Sequence, residues 1–120
     1  MNKNLNQWIG EGNLSCDPII RYTDNSNTPV TNFHLYVDNI CKVIKVEHTN
    51  KRVPTKRRVA KMPIVAWAKK AEMVCTHFKK GDKVRLIGEI RTNVAQKENV
   101  FFPTFEVVLS EISLISRKTT

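Results

Sequence analysis

Alternating apolar and polar residues dominate the chain and predict strands in five places. A period of two begins at Val30 and continues towards Val46, and it returns over Lys83–Arg91. Ile64–Ala68 is a short apolar run directly after a proline, which is tolerated at the first position of a strand. Phe101–Ile115 predicts a long strand or two strands interrupted near Ser110, and Trp8–Leu14 predicts a strand bent by its glycines.

One segment changes period and predicts a helix. Lys69–Lys80 places apolar residues at i, i+3, i+4 and i+7, and Gly81 follows as a stop signal. The polar stretch Asn93–Asn99 is predicted as a turn. Three strands, a helix and two strands are the order of the OB fold, so we predict an all-β, five-stranded OB-fold barrel with one short α-helix between strands 3 and 4. Such barrels bind oligonucleotides on one sheet face.

Positive charge is concentrated in one stretch. The chain has 20 Lys and Arg residues against 11 Asp and Glu, a formal net charge of +9, and residues 42–61 contain eight of the basic residues with Glu47 as the single acid. The stretch contains a proline and lacks apolar periodicity, which predicts an exposed basic hairpin loop at about 47–61, between strands 2 and 3. A nucleic acid is the favoured partner, because such a cluster neutralises several phosphates. A role in solubility, nuclear targeting or lipid binding is the alternative.

The remaining composition limits the class of protein. A length of 120 residues with 41% hydrophobic residues predicts one domain spanning residues 1–120. The apolar runs are too short to cross a membrane, no secretory signal is evident, and three cysteines without a Cys-x-x-Cys pair fit reduced thiols, so a cytoplasmic protein is expected. No nucleophile, phosphate-loop or metal-ligand motif is present, so we expect no enzymatic activity, cofactor or metal. A nuclease with converging carboxylates is the alternative.

Short motifs spread along the chain point to one family. In chain order they are Gly12-Asn13-Leu14, Asp17-Pro18, Arg21-Tyr22, Val30-Thr31-Asn32-Phe33, Val65-Ala66-Trp67, Lys69-Lys70-Ala71-Glu72, Lys79-Lys80-Gly81-Asp82-Lys83-Val84, Gly88-Glu89-Ile90-Arg91-Thr92 and Glu106-Val107-Val108. In this order and spacing the sequence resembles the bacterial single-stranded DNA-binding protein family over roughly residues 5–115. The resemblance implies a homo-oligomer, dimeric or tetrameric, that acts in DNA replication, recombination or repair. The DNA contacts it implies are Trp67, Lys69, Lys70, Lys80 and Arg91.

The chain also departs from the family pattern. Two aromatic positions are replaced, one within Lys61-Met62-Pro63 and one near Ala95. Tyr36 and His34 on the polar side of strand 2, and Phe101 or Phe102 from the last hairpin, are the candidate replacements. The sequence ends at Ser116–Thr120 without the family's acidic tail, so docking of replication enzymes through such a tail is not expected.

The hypothesis is therefore a non-enzymatic protein that binds single-stranded DNA without sequence specificity, through aromatic stacking and a basic groove. RNA is an alternative ligand, and Trp67 has a second interpretation as a core residue. A primosomal or replication adaptor of the PriB type, in which protein contacts dominate, is the alternative function, and phage or plasmid variants fit equally well. The basic residues expected to close over the strand are Lys51, Arg52, Lys56, Arg57 and Arg58, and Lys61 is a further predicted nucleic-acid contact.

Overall fold

Strands form most of the protein, as the alternating pattern predicts. The computed structural model describes the backbone of residues 4–41 and 56–118, and the side chains of residues 4–38 and 59–118. Within these residues the elements, in chain order, are β1 (Trp8–Leu14), β2 (Arg21–Tyr22), β3 (Pro29–Cys41), β4 (Lys56–Trp67), α1 (Lys69–His77), β5 (Lys83–Lys97) and β6 (Val100–Ser116). The predicted all-β class and the position of the helix are confirmed, and the two-residue β2 is an addition to the five predicted strands.

The five long strands pair in a closed ring. Its order is β1, β5, β6, β4 and β3, and β1 closes it by pairing with β3 at Leu14 and Leu35. All pairs in the ring are antiparallel except β4 with β6, which run parallel with Ile64 opposite Val107. The ring matters for function because it gives each strand an inner side, towards the core, and an outer side.

The core lies inside the ring and is closed at one end by the helix. Phe33, Leu35 and Leu86 are among the strand residues buried there, and α1 contributes Ala71 and Val74. This explains the helical spacing of apolar residues in α1, since one face of a short helix must meet the open end of the ring. In the described part of the chain, no helix is long and apolar enough to cross a membrane.

A buried carboxylate fixes the connection from the helix to β5. Asp82 is 3% exposed, and it accepts a 2.9 Å hydrogen bond from the Lys79 backbone N–H and a 3.1 Å hydrogen bond from the Arg117 Nη1 atom. Gly81 precedes it with φ of +88°, a conformation that favours glycine. The predicted helix stop at Gly81 is therefore part of a turn that ties the helix exit to the end of β6.

The predicted turn at Asn93–Asn99 is wrong for most of its length. β5 continues to Lys97, which pairs with Val100, and only Glu98 and Asn99 form the turn. Both turn residues have positive φ, 50° and 64°, as in the type I′ turns that join two antiparallel strands. Both sides of this hairpin meet solvent, so its strands lack the alternation that burial imposes on a sequence.

Ser110 interrupts the pairing of β6, as the sequence predicts. Leu109 pairs with Gly88 and Glu111 with Ile87, which leaves Ser110 as an extra residue between them. Glycine is required at position 88, because a Cβ atom there would lie 2.4 Å from the Val108 carbonyl oxygen. The bulge separates the part of β6 that pairs with the first half of β5 from the part that also pairs with β4.

Candidate nucleic-acid interface

The pairing of β3 with β4 places three predicted site residues on the outer side of the ring. Residues opposite each other in a β-ladder point to the same side, and Phe33 and Ile64, which pair, are both in the core. The next pair along the ladder, His34 with Pro63, therefore points outwards. Every second pair points the same way, so Tyr36 and its partner Lys61 also lie on the outer side. We call the outward-pointing side of β3 to β6 the outer face.

Trp67 lies at the end of β4 on the same outer face. Its side chain is 37% exposed, and it does not belong to the main core cluster. Its ladder partner Val30 and its outward neighbour Val65 are buried, at 1% and 2% exposed, although neither belongs to that cluster. Trp67 is therefore a surface residue above a small apolar patch, and its interpretation as a core residue does not fit its position.

The parallel pairing of β4 with β6 extends the outer face to Arg91. Val65 lies opposite Val108, and both point outwards because Ile64 and Val107, the pair before them, are in the core. Two residues back along β6, Glu106 points the same way and pairs with Arg91 of β5. Trp67 and Arg91 are thus on one continuous surface.

Arg91 differs from the other arginines whose side chains are described. Arg21 donates a hydrogen bond to Asn32, Arg85 forms an ion pair with Glu11, and Arg117 pairs with Asp82. For Arg91, no hydrogen bond or ion pair is found within the described residues. Its ladder partner Glu106 instead accepts a 3.3 Å hydrogen bond from the amide of Asn93. A guanidinium group in this situation can donate to a phosphate without first giving up a protein partner.

The predicted lysines fall at the two ends of the helix. Lys69 and Lys70 are exposed in its first turn, directly after Trp67 and the connecting residue Ala68. Lys80 is also exposed, but it follows the other end of the helix, where its backbone N–H donates to Asp17 at 2.7 Å. Lys69 and Lys70 are therefore close to Trp67 along the chain, whereas Lys80 lies beyond the other end of the helix.

The predicted basic loop overlaps β4. Lys56, Arg57 and Arg58 form the first residues of that strand, with backbones opposite Cys41 to Asn39, and Lys61 is an exposed residue farther along. The side chains of residues 56–58, and residues 47–55 as a whole, lie outside the described residues. Lys51 and Arg52 are among the latter.

The two phenylalanines at the last hairpin point to opposite sides. Phe101 pairs with Gln96 and Phe102 with Ala95, so only Phe102 shares a side with Arg91. Phe101 is 66% exposed on the other side. The sequence does not show which phenylalanine shares a side with Arg91, because that depends on the position of the turn. A two-residue turn at Glu98 and Asn99 sets the register and therefore the partner of each.

Chemically, the outer face combines exposed aromatic rings with cationic side chains. Rings of this kind stack on any base, and lysine and arginine contact phosphates. Within the described residues, no group of three or more His, Cys, Asp or Glu residues could hold a metal ion. The arrangement is thus suited to binding a nucleic-acid strand by stacking and charge.

Comparison with known proteins finds a family and relatives that this chain is similar to. Residues 5–115 match the model of the single-strand binding protein family. A protein named single-stranded DNA-binding protein from Caldanaerobacter subterraneus subsp. tengcongensis is 39% identical over 88 residues, which cover 73% of this chain and 52% of that protein. Single-stranded DNA-binding protein 2 of Clostridium acetobutylicum is 29% identical over 112 residues, covering 92% of this chain and 77% of that protein. The chain thus spans about half the length of the Caldanaerobacter relative.

Proposed function

The chain belongs to the single-strand binding protein family, and from that premise we propose that it binds single-stranded DNA across its outer face with little dependence on sequence. The ring of strands, with its helix before β5, is the OB fold of that family. One observation supports the proposal most strongly. The register of the sheet brings Tyr36, Trp67 and Arg91, which are far apart in the chain, onto one continuous surface.

In the proposed mechanism, aromatic rings contact the bases and cationic side chains contact the phosphates. Trp67 and Tyr36 are each 37% exposed, so each has ring surface that a base can cover. Lys61, opposite Tyr36, and Arg91, in the same outer face, supply charge for the phosphates. Stacking requires unpaired bases, and duplex DNA hides its base faces, so this surface selects single strands.

The proposal includes the setting in which such a protein acts. Single strands are exposed during DNA replication, recombination and repair, and a cytoplasmic or nucleoid location follows from that. The role is binding rather than catalysis. Self-association is also proposed. From Trp8 to Gly12, β1 pairs with β5 along one edge, and among the described residues its other edge has no strand partner. An open edge of this kind can pair with a second copy of the chain.

A second candidate function is an adaptor in which protein contacts dominate. It is favoured by the side of the last hairpin that points away from Arg91, where Val94 is 70% exposed, Phe101 66% and Phe105 49%. An exposed apolar strip of this kind suits a protein partner. The adaptor would bind single strands and duplexes alike, weakly and with a strong dependence on salt, whereas stacking contributes binding that salt does not screen.

A matched pair of arginine variants tests whether Arg91 contacts a phosphate of the bound strand. Arg91→Gln is expected to weaken binding of labelled oligo-dT and to lower the slope of log affinity against log salt by roughly 0.7, the value for one phosphate contact on a single strand. Arg85→Gln removes the same charge from the same strand and the same outer face, but from a residue already paired with Glu11 at 3.8 Å. Its slope should change less than that of Arg91→Gln, and equal changes in the two variants would contradict the proposed phosphate contact of Arg91.

A further inference from the structure

We propose that Phe102 is a base-stacking residue, presented by the part of the β5–β6 hairpin that projects beyond the ring. We call this part, Arg91–Lys97 with Val100–Glu106, the ribbon. The inference rests on the proposed single-strand binding and extends it to a residue that the resemblance to the family does not identify.

The two-residue turn determines which side of the ribbon Phe102 occupies. With Glu98 and Asn99 as the turn, Lys97 pairs with Val100, and the ladder then places Ala95 directly opposite Phe102. Residues two apart in a strand share a side, so Phe102 and Ala95 are on the side of Arg91 and Glu106. This is the side that continues into the outer face.

The surroundings of Phe102 in the ladder leave its ring open to a ligand. Its cross-strand partner is an alanine, whose methyl group is too small to cover an aromatic face. The Phe102 side chain is accordingly 41% exposed. An exposed ring beside a small residue offers the flat surface on which any base can stack.

Phe102 also lies within reach of a strand that contacts Arg91. Ala95 is four residues from Arg91 along β5, which corresponds to about 14 Å in an extended strand. The intervening pair on that side, Asn93 and Thr104, is polar and carries no charge. A single strand whose phosphate meets Arg91 can therefore continue along the ribbon and place a base on Phe102.

Exposure alone would favour Phe101, the neighbouring phenylalanine, as the stacking residue. Phe101 is 66% exposed, but it faces the other side of the ribbon, together with Val94 and Phe105. That side continues the inner, apolar side of the sheet rather than the outer face, since Val107 on the same side is in the core. Adjacent residues of one type on opposite sides provide a matched control within the chain.

The test compares Phe102→Ala with Phe101→Ala in the full chain, using fluorescently labelled oligo-dT at several salt concentrations. Loss of one stacked base weakens binding roughly 5- to 150-fold, and because stacking is not screened, the salt slope should not change. Phe101→Ala should bind like the wild type, and Phe102→Tyr should retain most of the affinity. Wild-type affinity in a folded Phe102→Ala variant, or an equal loss in Phe101→Ala, would overturn the inference.

A tryptophan variant tests stacking at position 102 by fluorescence and keeps an aromatic ring there. Phe102→Trp in a chain carrying Trp8→Phe and Trp67→Phe makes residue 102 the only tryptophan. Quenching of its emission by oligo-dT is expected, and binding without quenching would contradict stacking at this position. Failure of the wild-type chain to bind oligo-dT would instead refute the proposed function itself, so the two failures are distinguishable.

Discussion

Replacing Lys51, Arg52, Lys56, Arg57 and Arg58 together by glutamine is expected to weaken oligo-dT binding roughly 100-fold at physiological salt and to flatten its salt dependence. The five residues belong to the stretch 42–61, which contains most of the chain's excess positive charge. Each phosphate neutralised on a single strand contributes about 0.7 to the slope of log affinity against log salt, so five contacts lower it by up to about 3.5. Binding titrations from low to high salt measure both quantities.

The control removes charge from a different part of the surface. Lys79 and Lys118 are exposed residues at the turn that ties the helix exit to the end of β6. Their joint replacement by glutamine should change the slope much less for each charge removed. A similar change per charge in both variants would mean that only the overall charge matters, and an unchanged slope in the five-residue variant would exclude the basic stretch from binding.

Trp67→Ala is expected to weaken single-strand binding by about 1 to 3 kcal/mol, the contribution of one stacked base. The loss should persist at high salt, because stacking is not an interaction between charges. Trp67→Phe keeps an aromatic face and should recover most of the affinity. The measurement is the dissociation constant for oligo-dT, with a urea unfolding curve for each variant, since Trp67 lies on the outer face above the buried Val30 and Val65.

Tyr22 is the matched control for Trp67. It is 55% exposed and close to Trp67 in the sheet, but it pairs with Pro29, one position out of phase with Val30, and therefore points to the other side. Tyr22→Ala should change the affinity by less than about twofold, as is usual for a surface substitution away from a site. A folded Trp67→Ala variant with wild-type affinity would assign Trp67 to packing rather than to binding.

Burial explains which elements could be predicted from the sequence. Strands such as β3 alternate because one side faces the core and the other faces solvent, and α1 shows helical spacing because one side closes the ring. The ribbon has solvent on both sides, so Asn93–Lys97 looks like a polar turn although its backbone is fully paired. β4 likewise begins at Lys56, inside the stretch predicted as a loop, and its backbone pairs with β3 from there.

The candidate site was only partly predictable, because it depends on the register between strands. The resemblance to the family implies Trp67 and Arg91 as contacts, and strand periodicity predicts Tyr36 and His34 on the polar side. That Trp67 and Arg91 share one surface follows from the parallel pairing of β4 with β6, a contact that the local sequence does not encode.

The most direct test of single-strand binding on the outer face uses the emission of Trp67 alone. Trp8→Phe removes the other tryptophan, which packs against the core. Titration with unstructured oligo-dT should quench the remaining emission strongly, also as salt is raised, whereas a duplex of matched length should not. Emission that stays unquenched, with weak binding that disappears at modest salt and treats single strand and duplex alike, would contradict the account.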